Sequence, residues 1–167
     1  SLYRPHLRWT PVPEKDLAHY DAERLDVPNL PAGSQVSKEE LQKFMRLYYA
    51  NISCADRNIG RVLNALDDLA LTNRTIVIFI GDNGFMVGQH QLLGKGNARR
   101  LHVDSRGRIS RDRGTRPNMF DNSILVPFIV RWPGVVPAGI TNDSLVSTID
   151  ILLFFIAQIK SLSNTQN

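Results

Sequence analysis

The sequence predicts an α/β protein, and three observations carry that expectation. Apolar residues recur at steps of three and four through Leu41, Phe44, Met45, Tyr48, Ile52, Ala55, Ile59, Val62, Leu66 and Leu69, the signature of an amphipathic helix. A four-residue connection, LTNR (71–74), then leads into the continuous run TIVIFI (75–80), whose β-branched and apolar residues on both faces suit a parallel strand covered by helices. A helix feeding such a strand through a tight loop is half of a β-α-β unit.

Taken in order, residues 1–36 carry Pro5, Pro11, Pro13, Pro28 and Pro31 and are expected to be irregular and extended, since each proline restricts itself and its predecessor. Ser37 followed by Glu40 spells a capping box, so the helix is expected over roughly 38–70, and the unit 37–98 holds helix, strand and the polar loop behind it. Residues 99–119 read as a basic loop insertion. The run SILVPFIVRW (123–132) reads as a second strand interrupted at Pro127, PGVVPAG (133–139) as turns, and 151–159 as a helix closing a late region, 120–160. The polar end, 161–167, reads as a frayed tail.

Composition sets outer bounds. At 167 residues the chain is long enough for one domain with a core, and its 43% hydrophobic and 22% charged residues are those of a globular protein. The longest apolar run, ILLFFIAQI (151–159), is about half the roughly 18 residues that a membrane helix needs. SLYRPHLRW has neither a charged nor an apolar leader region, so no signal peptide is read, and the chain is expected to be intracellular or to lack its true beginning. Cys54 is alone, which excludes an internal disulfide and a Cys-rich metal site. The net charge of +4 is unevenly placed: Lys95, Arg99, Arg100, Arg106, Arg108, Arg111, Arg113 and Arg116 face only Asp104 and Asp112, leaving the remainder of the chain at −2. Basicity confined to one loop favours an anionic ligand near it over general nucleic-acid binding.

The chemistry concentrates where the strand ends. Ligands of open α/β sheets collect at the carboxyl ends of strands, and there stand Asp82, Asn83 and Gly84. Asn-Gly is among the commonest turn pairs; the same residues also offer two hard oxygens suited to Ca²⁺ or Mg²⁺ beside a glycine that turns sharply. Lys95 follows in GKGN, either as a solvated lysine or as an ammonium set to neutralise an anionic group. His90 has the same two readings, ligand support or plain loop residue.

The ordered motifs resemble the sulfatase family. TIVIFIGDNGFMVGQHQLLGKGN (75–97) is similar to the segment in which a strand ends in Asp-Asn-Gly, followed by Gly-x-His and a lysine. LYYANISCADRNIGRVLNALDD (47–68) resembles the family helix with its Asp-x-x-x-Gly-Arg core, here Asp56, Gly60 and Arg61. MFDNSILVPFIVRWPGVVPAG (119–139) resembles a later region, with Phe120 where a tyrosine is usual. YRPHLRWTPVPEKDLAHYD (3–21) resembles the Pro-His segment that brings a histidine to the site. The resemblance runs from about Tyr3 to Asp150. It implies an alkaline-phosphatase-like three-layer α/β/α sandwich with a mainly parallel sheet, here incomplete. It also implies sulfuric ester hydrolysis, with Asp82 and Asn83 as metal ligands (Ca²⁺, with Mg²⁺ possible) and with Lys95 and His6 on the sulfate ester or leaving oxygen. His90 is at most support. A sulfated small molecule or glycan is the implied substrate, with no nucleic acid and no membrane span. A secreted, periplasmic or lysosomal setting is implied too. Nothing sets the oligomeric state.

The family's nucleophile is a formylglycine made from Cys/Ser-x-Pro/Ala-x-Arg. Cys54 does not open that pattern, because Asp56 and Asn58 stand two and four places on. The nucleophile is therefore expected in an amino-terminal part outside this chain, and the chain alone is expected to be inactive. Leu153 and Phe154 stand where the family has a Pro-Thr pair, a departure consistent with a truncated or shifted reading frame. Two alternatives stand beside this reading: a phosphodiesterase or phosphonate hydrolase of the same superfamily, and a non-catalytic module binding an anionic polymer through the basic loop. A charged run is more often simply solvated.

Overall fold

A computed structural model of the chain describes residues 5–6, 9–30, 36–95, 97–98, 101–111 and 116–164. The molecule is mixed α/β. A short helix α1 (Glu14–Leu17) and a 3-10 turn (Ala22–Arg24) precede the long helix α2 (Lys38–Asp68). A 3-10 turn (Thr72–Arg74) then leads to β1 (Val77–Ile80).

Helix α2 starts where the capping box places it. Ser37 Oγ accepts from Glu40 N–H at 3.1 Å, and the Glu40 carboxylate accepts from Ser37 N–H at 2.8 Å, so two orphan donors of the first turn are satisfied reciprocally. At about 1.5 Å per residue, its 31 residues make it the longest element. Its apolar face is buried only in the amino-terminal half, through Leu41, Met45, Ala50 and Cys54, whereas Val62 and Leu69 are exposed. The expected core face therefore stops being covered a little past mid-helix.

What covers that half is the proline-rich segment. Trp9, Val36, Leu41, Met45 and Val87 form the buried cluster, and the Trp9 ring meets Phe44 at 4.4 Å and Tyr48 at 5.2 Å. Polar side chains of α2 then hold the segment by its backbone carbonyls. Gln42 Nε2 donates to Glu23 and Leu25 O, Arg46 Nη2 to Leu17 O, and buried Asn51 Nδ2 to Trp9 O. A segment without a regular ladder leaves carbonyls needing donors, and α2 supplies them. Arg57 pairs with the buried Asp16 of α1.

Beyond β1 the chain makes short paired pieces: β2 (Met86–Val87) with β3 (Leu93–Gly94), β4 (Asn97–Ala98) with β7 (Arg116–Pro117), and β5 (Leu101–Val103) with β6 (Ile109–Arg111). Helix α3 (Asp121–Ile124), strand β8 (Phe128–Arg131) and helix α4 (Thr148–Asn164) complete it.

Several expectations are corrected here. Strand β1 pairs antiparallel with β8, Val77 opposite Arg131 and Ile80 opposite Phe128. A parallel pair needs a crossover, usually a helix, and the described residues between these two strands hold only short paired strands, a 3-10 turn and the four-residue α3. The described residues of the basic insertion include paired strands, β5 with β6 and β7 with β4. The first half of the second strand is helical: α3 ends at Ile124, and Pro127 precedes the strand proper. The tail is helical as far as Asn164, and residues 165–167 lie outside the described residues.

Candidate active site

The turn after β1 is built by close approach. Gly84 N–H donates to Ser123 O of α3 at 2.9 Å, and a Cβ at Gly84 would lie 2.1 Å from Asn122 O. No other residue fits between the turn and α3, so the glycine of Asp-Asn-Gly is demanded by packing as well as by turn geometry. Asp82 Oδ1 accepts from Asn83 N–H at 2.9 Å, and Asn83 Nδ2 donates to Gly84 O at 2.7 Å. These two bonds fix the Asn83 amide with its carbonyl oxygen free for another donor.

Lys95 is that donor. Its Nζ lies 2.9 Å from Asn83 Oδ1 and 3.7 Å from Asp82 Oδ2. The β2–β3 pair, Met86 opposite Gly94 and Val87 opposite Leu93, folds the chain back over this distance. Gly88 at φ +96 sits against Leu41 of α2, which ties the hairpin to the core. Asp82 is largely exposed and Lys95 about one-third exposed, so the ammonium is reachable from solvent while held on one side.

His90 stands at the tip of the same hairpin in the left-handed region, φ +53, followed by Gln91 at φ +59. Two consecutive non-glycine residues there are a strained turn. The His90 ring stacks on Phe120 at 4.0 Å, which gives its otherwise exposed side chain a fixed partner and links the hairpin to the N-cap of α3. His6 is exposed. Its segment is anchored beside the turn, since Trp9 Nε1 donates to Pro5 O at 2.7 Å and the Trp9 ring meets Phe85 at 5.6 Å. Phe85 directly follows Gly84. The structure thus joins Asp82, Asn83 and Lys95, while His90 packs on Phe120 and the segment of His6 reaches Phe85 through Trp9.

Asp82 and Asn83 are of the right chemistry for a divalent cation, but Asn83 Oδ1 is engaged by an ammonium, and among the described residues no group of three or more His, Cys, Asp or Glu converges. Ca²⁺ takes six to eight oxygens. The residues present do not by themselves make such a site.

The sequence reading missed one frame. Ser53-Cys54-Ala55-Asp56-Arg57 spells the serine version of the formylglycine pattern, one residue before the frame that Cys54 opens. The structure puts it to other uses. It lies inside α2; the Ser53 hydroxyl shares a 2.6 Å hydrogen bond with Tyr20 Oη, and Arg57 pairs with Asp16. Ser53 lies about 12 Å further along the helix axis than Met45, at 1.5 Å per residue. Its signal is the match to the helix core Asp56, Gly60 and Arg61.

Comparison with known proteins agrees with the motifs. The sulfatase family profile matches residues 12–159. An ulvan-active sulfatase of Formosa agariphila is 31% identical over 159 residues, which are 91% of this chain and 26% of that protein. Human steryl-sulfatase is 36% identical over 96 residues, 58% of this chain and 15% of that one. Among solved structures, yidJ of Bacteroides fragilis, assigned as a sulfatase, superimposes with a TM-score of 0.55 at 27% identity, covering 78% of this chain and 24% of that chain. The chain spans about a quarter or less of the length of these relatives. On the strength of the profile match across most of its length, the chain belongs to the sulfatase family.

Proposed function

We propose that this chain is the part of a sulfuric ester hydrolase that holds the substrate's sulfate, acting on a sulfated carbohydrate. The observation that carries the reading is the Lys95 ammonium held on Asn83 at the end of β1. An ammonium so placed keeps its remaining donors for an anion, and a fixed positive charge beside a transferring sulfuryl group stabilises charge as it develops. His6 serves the sulfate or the leaving oxygen, and His90 supports the loop through Phe120. Asp82 and Asn83 contribute two oxygens to a Ca²⁺ site whose other donors, like the formylglycine nucleophile, lie outside this chain. The whole enzyme has the three-layer α/β/α architecture with a mainly parallel sheet. Carbohydrate is favoured as the substrate class because relatives include proteins named N-acetylglucosamine-6-O-sulfatase and N-acetylgalactosamine-6-O-sulfatase, both of Bacteroides thetaiotaomicron. A secreted, periplasmic or lysosomal setting accompanies this reading.

The test has two arms. Inorganic sulfate titrated into the purified chain should perturb the resonances of Asn83 and Lys95, and Lys95→Ala should abolish that response. The isolated chain should not hydrolyse an aryl sulfate. Sulfate binding indifferent to Lys95 would overturn the assignment of the site, and turnover abolished by Lys95→Ala would overturn the assignment of the nucleophile to another part of the protein.

A further inference from the structure

The two sides of the candidate site reach each other through a closed path of contacts. On one side, Gly84 N–H donates to Ser123 O at 2.9 Å, and Ser123 N–H donates to Phe120 O at 2.7 Å. The Asp-Asn-Gly turn is thereby fixed to α3 and to its N-cap, Phe120. On the other side, Lys95 directly follows β3, so the β2–β3 hairpin sets where its ammonium can stand. The sides join at the rings of His90 and Phe120, whose centroids lie 4.0 Å apart with their planes 12° from parallel. The 2.9 Å hydrogen bond from Lys95 Nζ to Asn83 Oδ1 completes the path.

The hairpin alone does not fix its tip. Its base is secure, with Met86 and Val87 buried, but its ladder is two residue pairs long. At the tip, His90 and Gln91 are both left-handed, at φ +53 and +59, a conformation that non-glycine residues keep only where the surroundings hold them. Gln91 N–H donates to Gly88 O and Val87 N–H to Gln89 Oε1, yet both bonds lie within the hairpin and leave its direction open. The stack on Phe120 is a contact to another element. Phe120 has no polar side-chain atom and is 41% exposed, so it contributes an oriented aromatic face rather than a hydrogen bond or a buried core.

We propose that Phe120 is a positioning residue: through its stack on His90 it holds the hairpin where Lys95 meets Asn83, and so sets the affinity of that ammonium for sulfate. The proposal rests on the reading of Lys95 as the group that holds sulfate and adds what places it.

The experiment titrates inorganic sulfate into the full chain and follows the resonances of Asn83 and Lys95. Phe120→Leu keeps apolar bulk without a ring, Phe120→Tyr keeps the ring, and His90→Asn removes the other ring with a residue that tolerates the left-handed turn. Phe120→Leu and His90→Asn should each weaken sulfate binding about three- to tenfold, the factor one aromatic pair is worth. The double variant should be no weaker than either single, as expected of partners in one contact, and Phe120→Tyr should stay within about twofold of the parent. The urea midpoint should move little, because neither ring belongs to the Trp9 cluster. His90→Asn stands in if Phe120→Leu fails to fold. Unchanged affinity in both ring-deleting variants, an additive loss in the double, or an equal loss in Phe120→Tyr would each overturn the proposal. If sulfate binding ignores Lys95→Ala, the site reading falls, and the stack is judged in the sulfate-free chain. There the Asn83 side-chain amide resonance should move in Phe120→Leu toward its position in Lys95→Ala, and an unmoved resonance overturns the positioning role.

Discussion

Lys95 Nζ donates to Asn83 Oδ1 at 2.9 Å, with Asp82 Oδ2 at 3.7 Å. The ammonium and any divalent cation on these residues compete for one carbonyl oxygen, and the two positive charges repel each other. In the isolated chain the lysine has the advantage, because it is covalently present and the cation lacks most of its oxygens. Calorimetric titration should therefore show no saturable Ca²⁺ binding up to about 1 mM, the weak end of natural calcium sites. Lys95→Ala should tighten whatever residual binding exists. A stoichiometric submillimolar isotherm for the unaltered chain would show that it holds a complete site.

Gly84→Ala is expected to be severe. The added Cβ would fall 2.1 Å from Asn122 O, and both sides of that contact are backbone, so no side chain can swing away. Overpacking of this kind costs about 1–3 kcal/mol, and here the upper end is expected, because the Gly84–Ser123 hydrogen bond must also move. Urea unfolding should show the loss, and sulfate binding at Lys95 should weaken in parallel as the turn is displaced. A variant as stable as the parent would mean that the turn and α3 do not approach so closely in solution.

How far the sequence carried these conclusions depends on whether a feature is local. Helix α2 and its cap were legible because Ser37, Glu40 and the apolar spacing act within one turn of one another. Lys95 on Asn83 was legible only as a motif, since residues twelve apart meet through a β2–β3 hairpin that two-residue strands scarcely announce. The pairing of β1 with β8 was not legible: TIVIFI has the composition of a doubly covered parallel strand, and nothing in those residues states which neighbour the chain brings back. The role of Gln42, Arg46 and Asn51 in gripping the segment before α2 was hidden for the same reason, because a polar residue on a helix looks alike whether it meets water or a distant carbonyl. The SCADR frame shows the converse, letters matching a motif in a place where helix geometry gives them other partners.

Asp16 and Arg57 set an acid limit on stability. The Arg57 guanidinium holds the Asp16 carboxyl below its ordinary value, against the opposing effect of burial. A depressed carboxylate contributes stability that is present above its unfolded value and lost as pH falls through the folded one. Asp67, lowered first by the Thr72 hydroxyl, and Asp104, lowered first by the Arg108 backbone N–H, act in the same direction. Thermal stability should therefore fall as the pH is taken below about 4. Asp16→Asn should be less stable at neutral pH, where Arg57 loses its charge partner, and should show a shallower acid limb, with the remainder due to Asp67 and Asp104. An acid limb of unchanged slope in Asp16→Asn would remove Asp16 from that account.

The described residues leave apolar surface uncovered. In α4, Leu152 and Leu153 are 64% and 60% exposed, and Phe155 and Ile156 are exposed as well. Across the two-stranded sheet Phe79, Phe128 and Ile129 also face outward. Apolar residues gathered on neighbouring elements exceed the scattered pattern that water tolerates without consequence, and a two-stranded sheet presents unpaired backbone on both edges. The isolated chain should self-associate with rising concentration, seen as a mass increase in sedimentation and as binding of an apolar dye. Leu152→Lys/Ile156→Lys should reduce both without shifting the unfolding of the Trp9 core, because neither residue contacts that cluster. A concentration-independent monomer with a sharp cooperative transition would show instead that the chain is self-sufficient and that these side chains are tolerated in water.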